Sequence, residues 1–227
     1  KKFNLIVTIK PWNIKFFKKN LNKLKGNWLL ISELSKLKNK KFSNIEIENI
    51  FFIHWSKIIP NNIIKKYNCI GFHMTDLPYG KGGSPLQNLI LNGKKKTKIT
   101  AYKITSELDS GPIYFKFPLD LSGNAETIFK AATKITLKMI IKFQKKKIKP
   151  KKQKKGKIIF KRLSRKDNFL NFKKIKTLNR LYDHIRMVDA PTYPNAFFKI
   201  SNFNFEFMNI KKNKNELNCY TKIKYEK

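Results

Sequence analysis

Apolar residues along this chain gather in short runs at 3–9, 28–32, 50–53 and 69–73. Each run has strand length and is rich in branched and aromatic side chains, so each predicts a buried strand. Between the runs the period changes. Ile14, Phe17, Leu21 and Leu24 recur at helical spacing and Gly26 closes the segment, 34–37 suits a helix or turn, and 63–67 allows a helical turn or two. Strands alternating with helices predict an α/β fold whose mostly parallel sheet is covered by helices.

The segment 77–85 holds three glycines and two prolines and is no helix interior. Ser84 is placed to cap a helix, with Pro85 in its first turn and Gly93 at its end. A strand at 99–106 follows and runs into the turn Glu107-Leu108-Asp109-Ser110-Gly111. A long amphipathic helix is predicted from an Asn124 cap, with Ile128, Phe129, Ala132, Ile135, Met139 and Phe143 on its apolar stripe.

Residues 145–157 contain nine lysines and read as an exposed linker. Beyond it, a strand at 158–160, a helix at 177–189 and a Phe-rich strand pair at 196–208 predict a small α+β appendage. The expected organisation is therefore a core at 1–144, a linker at 145–157 and a C-terminal subdomain at 158–227.

With 227 residues and 41% hydrophobic composition, the chain has enough apolar surface for one sizeable core. Its charge of +37 attracts polyanions, although Lys, Ile and Asn are abundant everywhere, as a compositional bias would also produce. No stretch approaches the roughly 20 apolar residues of a membrane span, and the opening residues lack a cleavage-site pattern. The expectation is a cytoplasmic protein. Cys69 and Cys219 read as reduced thiols, and no metal-ligand spacing occurs.

His73 and Asp109 stand at or just beyond strand ends, where open α/β sheets hold ligands, with the Gly-rich segment between them in sequence. An imidazole and a carboxylate placed together can move a proton. From Ile50 to Gly111 the chain resembles the folate-dependent formyltransferases. It carries Ile59-Pro60, His73, Leu77-Pro78, Lys81-Gly82, Pro85 and Leu108-Asp109-x-Gly111 in the family's order. The stretches 51–60, 72–90 and 182–198 are similar to a bacterial branch that includes sugar-modifying members.

The resemblance implies a Rossmann-like formyltransferase core and 10-formyltetrahydrofolate as one-carbon donor. His73 would stabilise the oxyanion while Asp109 orients the imidazole and helps remove the amine's proton. It places the folate against Trp55, Lys57 and Ile59 and along Ile104, Thr105, Ser106 and Glu107, and the acceptor near Lys81, Gly82, Arg186 and Tyr193. Arg162 joins this border, and Arg186 has an alternative pairing with Asp183 or Asp189. The chain departs from the pattern at Gly71, where the family carries a catalytic Asn. His54, Asn68, Thr75 or a backbone N–H are the expected substitutes.

Methionyl-tRNA formyltransferases carry a further barrel-like domain after the core, and only 70 residues follow the lysine run here. The expected acceptor is therefore the amine of a nucleotide-linked sugar, possible nucleic-acid binding being secondary and a homodimer open. The alternatives are a methionyl-tRNA formyltransferase-like enzyme, or a non-catalytic basic RNA-binding or scaffold protein on a degenerated formyltransferase core.

Overall fold

The structure, a computed structural model, describes residues 1–38 and 45–226. Among the described residues, the α-helices are α1 (Pro11–Lys18), α2 (Asn61–Lys66), α3 (Pro85–Leu91), α4 (Ala125–Lys145) and α5 (Leu178–Arg186). The strands are β1 (Lys2–Val7), β2 (Asn27–Ile31), β3 (Glu46–Phe52), β4 (Asn68–His73), β5 (Lys81–Gly82), β6 (Lys96–Lys103), β7 (Ile113–Asp120), β8 (Ile158–Phe160), β9 (Ala196–Ile200), β10 (Phe203–Lys212) and β11 (Leu217–Tyr225).

The main sheet has the order β2-β1-β3-β4-β6-β7. β1 pairs parallel with β2 and β3, and β3 pairs parallel with β4, whereas β4 and β6 run antiparallel. The mostly parallel α/β expectation is met, with one direction change at β6. Leu5, Ile6, Val7, Ile50 and Ile70 are fully buried, as their continuous apolar runs require. Away from His73, Asn4, Asn49 and Asn68 form a side-chain ladder. Asn49 Nδ2 donates to Asn4 Oδ1 at 2.8 Å, and Asn68 Nδ2 donates to Asn49 Oδ1 at 2.7 Å.

Sequence patterning missed β7. Its residues IYFKFPLD contain a lysine and a proline, and the strand lies at the end of the sheet order, where a missing N–H donor is tolerated. It also missed β11. The C-terminal sheet has three antiparallel strands in the order β11-β10-β9, rather than one pair. β11 leaves Tyr220, Ile223 and Tyr225 exposed, so burial does not impose a strong pattern on it. Phe198 holds that sheet together by stacking on Phe205 at 4.8 Å and Phe207 at 5.6 Å.

Helix caps are mixed. Asn124 Oδ1 accepts from Thr127 N at 3.0 Å, as expected for α4. Ser84 does not cap α3. It sits at φ 46°, and its hydroxyl instead accepts from Leu163 N at 2.9 Å.

The described chain forms two compact units. One comprises Lys1–Lys81, Lys98–Leu119 and Lys130–Ile159; the other comprises Gly82–Thr97, Asp120–Phe129 and Phe160–Lys227. The lysine-rich segment is not a plain linker. Its lysines are exposed, but Ile113 and Lys151 exchange backbone bonds at 2.7 and 2.8 Å, and Gln153 donates to the carbonyls of Asp109 and Gly111 at 3.0 and 2.6 Å.

Gly111 is dictated by close packing, since a Cβ there would lie 1.7 Å from the Lys103 carbonyl oxygen. Gly111→Ala should therefore cost at least about 3 kcal/mol of stability. Urea denaturation tests this, and an unchanged midpoint would contradict the packing argument.

Candidate functional site

β4 delivers His73 at its last residue, and β6 feeds the turn that carries Asp109. His73 is 9% exposed and Asp109 7%. The two face one another, with His73 Nδ1 3.7 Å from Asp109 Oδ1. That separation exceeds a direct hydrogen bond. The other ring nitrogen, Nε2, lies 2.8 Å from the Gly80 carbonyl oxygen. A carbonyl only accepts, so Nε2 carries a proton, and Nδ1 is the ring atom that faces the carboxylate.

The Gly-rich segment shapes this geometry. Thr75 Oγ1 also reaches Gly80 O, at 3.4 Å, while Thr100 Oγ1 donates to Thr75 O at 2.6 Å and accepts from Leu77 N at 3.2 Å. Because Thr100 pairs with His73 across the strands, one β6 residue anchors the loop that holds the imidazole.

Asp109 has φ 51°, a conformation that Asp adopts more readily than most residues. Its Oδ1 accepts from the Tyr102 hydroxyl at 2.9 Å. Burial first, and the Asp109 charge second, push the Tyr102 phenol well above its ordinary range, so it remains a proton donor. Tyr102 was not among the residues singled out from sequence. The signal available was its two-residue phase with Thr100, but only strand pairing reveals that Tyr102 lies opposite Gly71.

The structure separates the expected substitutes for the side chain missing at Gly71. Asn68 belongs to the asparagine ladder. His54 Nδ1 accepts from Asn13 Nδ2 at 3.0 Å, while Asn13 also bonds Thr8 and Thr133. Thr75 shares a partner with His73, namely Gly80 O.

Trp55 and Ile59 pack against the same apolar cluster as Tyr102 and Ile104. The Trp55 indole N–H is buried without a hydrogen-bond partner. A flat heteroaromatic ligand fits an apolar wall of this kind with one orphaned donor. Thr105 Oγ1 donates to Glu107 O at 3.2 Å, while Lys57, Ser106 and Glu107 are exposed. Lys81 is only 3% exposed and donates to Ser110 Oγ at 2.8 Å, beside the Asp109 turn.

The remaining acceptor-side residues belong to the second unit. Gly82 is buried at φ 119°. Tyr193 stacks on Phe129 at 5.4 Å, and burial pushes its phenol up to about 12. Arg186 is buried on Asp183 Oδ1 at 2.7 Å and on the Leu121 and Gly123 carbonyls at 2.6 and 2.8 Å. That is the helix pairing offered above as its alternative. Among the described residues, no group of three His, Cys, Asp or Glu side chains is placed to hold a metal ion, and no helix is long and apolar enough to cross a membrane.

Comparisons with known proteins sharpen this picture. Residues 31–160 match the family described as formyl transferase, and residues 166–224 match the methionyl-tRNA formyltransferase C-terminal domain. A methionyl-tRNA formyltransferase from Caldicellulosiruptor saccharolyticus is 31% identical over 142 residues, 59% of this chain and 42% of that protein. The alignments cover less than half the length of the curated relatives the chain matches. A solved methionyl-tRNA formyltransferase from Clostridium thermocellum has a TM-score of 0.92 and 39% identity, covering 99% of this chain and 100% of that one. A sugar N-formyltransferase from Shewanella has a TM-score of 0.63 at 17% identity, over 91% of this chain and 96% of its own, a likeness of fold alone.

Burial lowers the His54 imidazole to about 4, with Lys10 adding to the effect. The unfolded chain binds this proton below about pH 6.5 and the folded chain only below about 4, so stability falls as pH drops between them. The loss should be about 3 kcal/mol at most. It should shrink in His54→Asn, since Asn suits the φ of 46° found there. Denaturant titrations across that pH range test both statements, and an equal acid loss in the variant would contradict them.

Proposed function

The chain belongs to the formyl transferase family, and from that premise we propose that it moves a formyl group from 10-formyltetrahydrofolate to a primary amine, that of methionyl-tRNA. The observation carrying this reading is the convergence of His73, at the end of β4, and Asp109, in the turn after β6, 3.7 Å apart and both buried, beside the Gly-rich loop.

The donor supplies an electrophilic formyl carbon. Trp55, Ile59 and Ile104 would wall its flat ring system, and the unpartnered indole N–H would meet one of its acceptor atoms. Asp109 would take the proton that the amine gives up as its nitrogen forms the new C–N bond, while the bond between the formyl carbon and the donor's nitrogen breaks and that nitrogen leaves with a proton returned from the His73–Asp109 pair. His73, with Nε2–H tied to Gly80 O, keeps Nδ1 beside the same carboxylate. A proton received at Nδ1 makes the ring a cation, which stabilises negative charge developing nearby. Lys81 adds a buried ammonium on the Ser110 side of the turn.

The acceptor assignment revises the amino-sugar expectation, which rested on the shortness of the segment after the lysine run. The match of residues 166–224 to a methionyl-tRNA formyltransferase C-terminal domain removes that objection. Curated relatives and the solved structure at 39% identity bear the same name, whereas the sugar enzyme shares only the fold. A charge of +37 also suits a polyanionic acceptor better than a small nucleotide sugar.

Purified protein given 10-formyltetrahydrofolate should formylate methionyl-tRNA, with KM rising steeply with salt. His73→Ala and Asp109→Asn should each lower kcat/KM by about 100-fold or more, with an unchanged thermal melt. Formylation of a nucleotide-linked amino sugar but not of methionyl-tRNA would overturn the acceptor, and near wild-type turnover in either variant would overturn the assigned roles.

A further inference from the structure

We propose that Tyr102 fills the place left by the missing side chain at position 71 and serves as a positioning residue that acts on the reaction through Asp109. Its effect on turnover rests on the formyl-transfer reading; its effect on the carboxylate does not.

Gly71 and Tyr102 are direct partners across β4 and β6, so their side-chain directions share one sheet face. Phe52 pairs with Gly71 from the other flank in β3. A Cβ added at Gly71 would lie 2.6 Å from Tyr102 Cε1, 2.8 Å from Cζ and 3.0 Å from the hydroxyl oxygen. The ring therefore lies across the glycine, an arrangement in which an aromatic cross-strand neighbour covers the bare backbone. A side chain at 71 and the ring at 102 exclude one another.

The phenol ends where the chemistry is. Its O–H donates at 2.9 Å to Asp109 Oδ1, the same oxygen that faces His73 Nδ1. This bond holds Oδ1 toward the imidazole. In formyltransferases resembling this chain a carboxamide extends from the β4 position. Here the polar group comes from β6 instead, and a hydroxyl replaces the amide. Positions 71 and 102 thus form one exchange, in which loss of the Asn side chain opens the room that the tyrosine needs.

Tyr102→Phe keeps the ring and removes only the hydroxyl. It should lower kcat by about 10- to 100-fold with little change in KM, the loss expected for a hydrogen bond to a charged group. In substrate-free protein at fixed pH, the Asp109 carboxyl carbon resonance followed by NMR should move in the variant, because the hydroxyl that bonds Oδ1 is gone. An unchanged Asp109 carboxyl resonance would overturn the proposal, whether or not formyl transfer is detected. Wild-type protein inactive on every amine would sink only the formyl-transfer reading. If Tyr102→Phe is unstable, Gly71→Asn decides the matter. Alone it should be destabilised and impaired by collision with the ring, and it should recover turnover when combined with Tyr102→Ala. Full stability and activity of Gly71→Asn alone would also overturn the proposal.

Discussion

A carboxylate 7% exposed, on a residue at φ 51°, persists only where donors and backbone are arranged around it. Asp109 meets that requirement through β6, the lysine-rich segment and its own turn. Tyr102 donates to its side chain, Gln153 to its carbonyl, and Gly111 allows the Lys103 carbonyl to come within a distance that no Cβ would permit. The constraint spreads outward from there. β6 must place a tyrosine opposite a glycine, and the lysine-rich segment must return to bridge Ile113.

The same rule governs the second unit with different partners. Asp189, 5% exposed, accepts from Asn124 Nδ2 at 2.9 Å and from the backbone N–H groups of Asn209 and Ile210 at 3.0 Å each. Arg186 is closed off by Asp183 and two carbonyls. Buried charges with complete local partners hold loops and helix ends in place. Asp109 and His73 differ: their Oδ1 and Nδ1 face one another at 3.7 Å, farther than a hydrogen bond reaches.

Charge adds a second level of organisation. The lysines between 145 and 157 remain in solvent, where a positive field draws anions over distances set by ionic strength. Lys81 differs in being buried against Ser110. One lysine type thus serves a diffuse role on the surface and a local one beside the turn, and the side chain's surroundings decide which.

The sequence alone determined the α/β class, the buried strands β1, β3 and β4, the Asn124 cap and the candidates His73 and Asp109, because short-range period and motif order express them directly. β7 and β11 left weaker traces, since edge strands with exposed faces need no strict alternation. Ser84 carried a capping signal, yet its hydroxyl went to Leu163, a residue far along the chain. Tertiary structure alone decided what lies beside Gly71. Residues 71 and 102 meet only through the antiparallel pairing of β4 with β6. No periodicity within either strand encodes a partner in the other, because register depends on the whole sheet packing its apolar face inward.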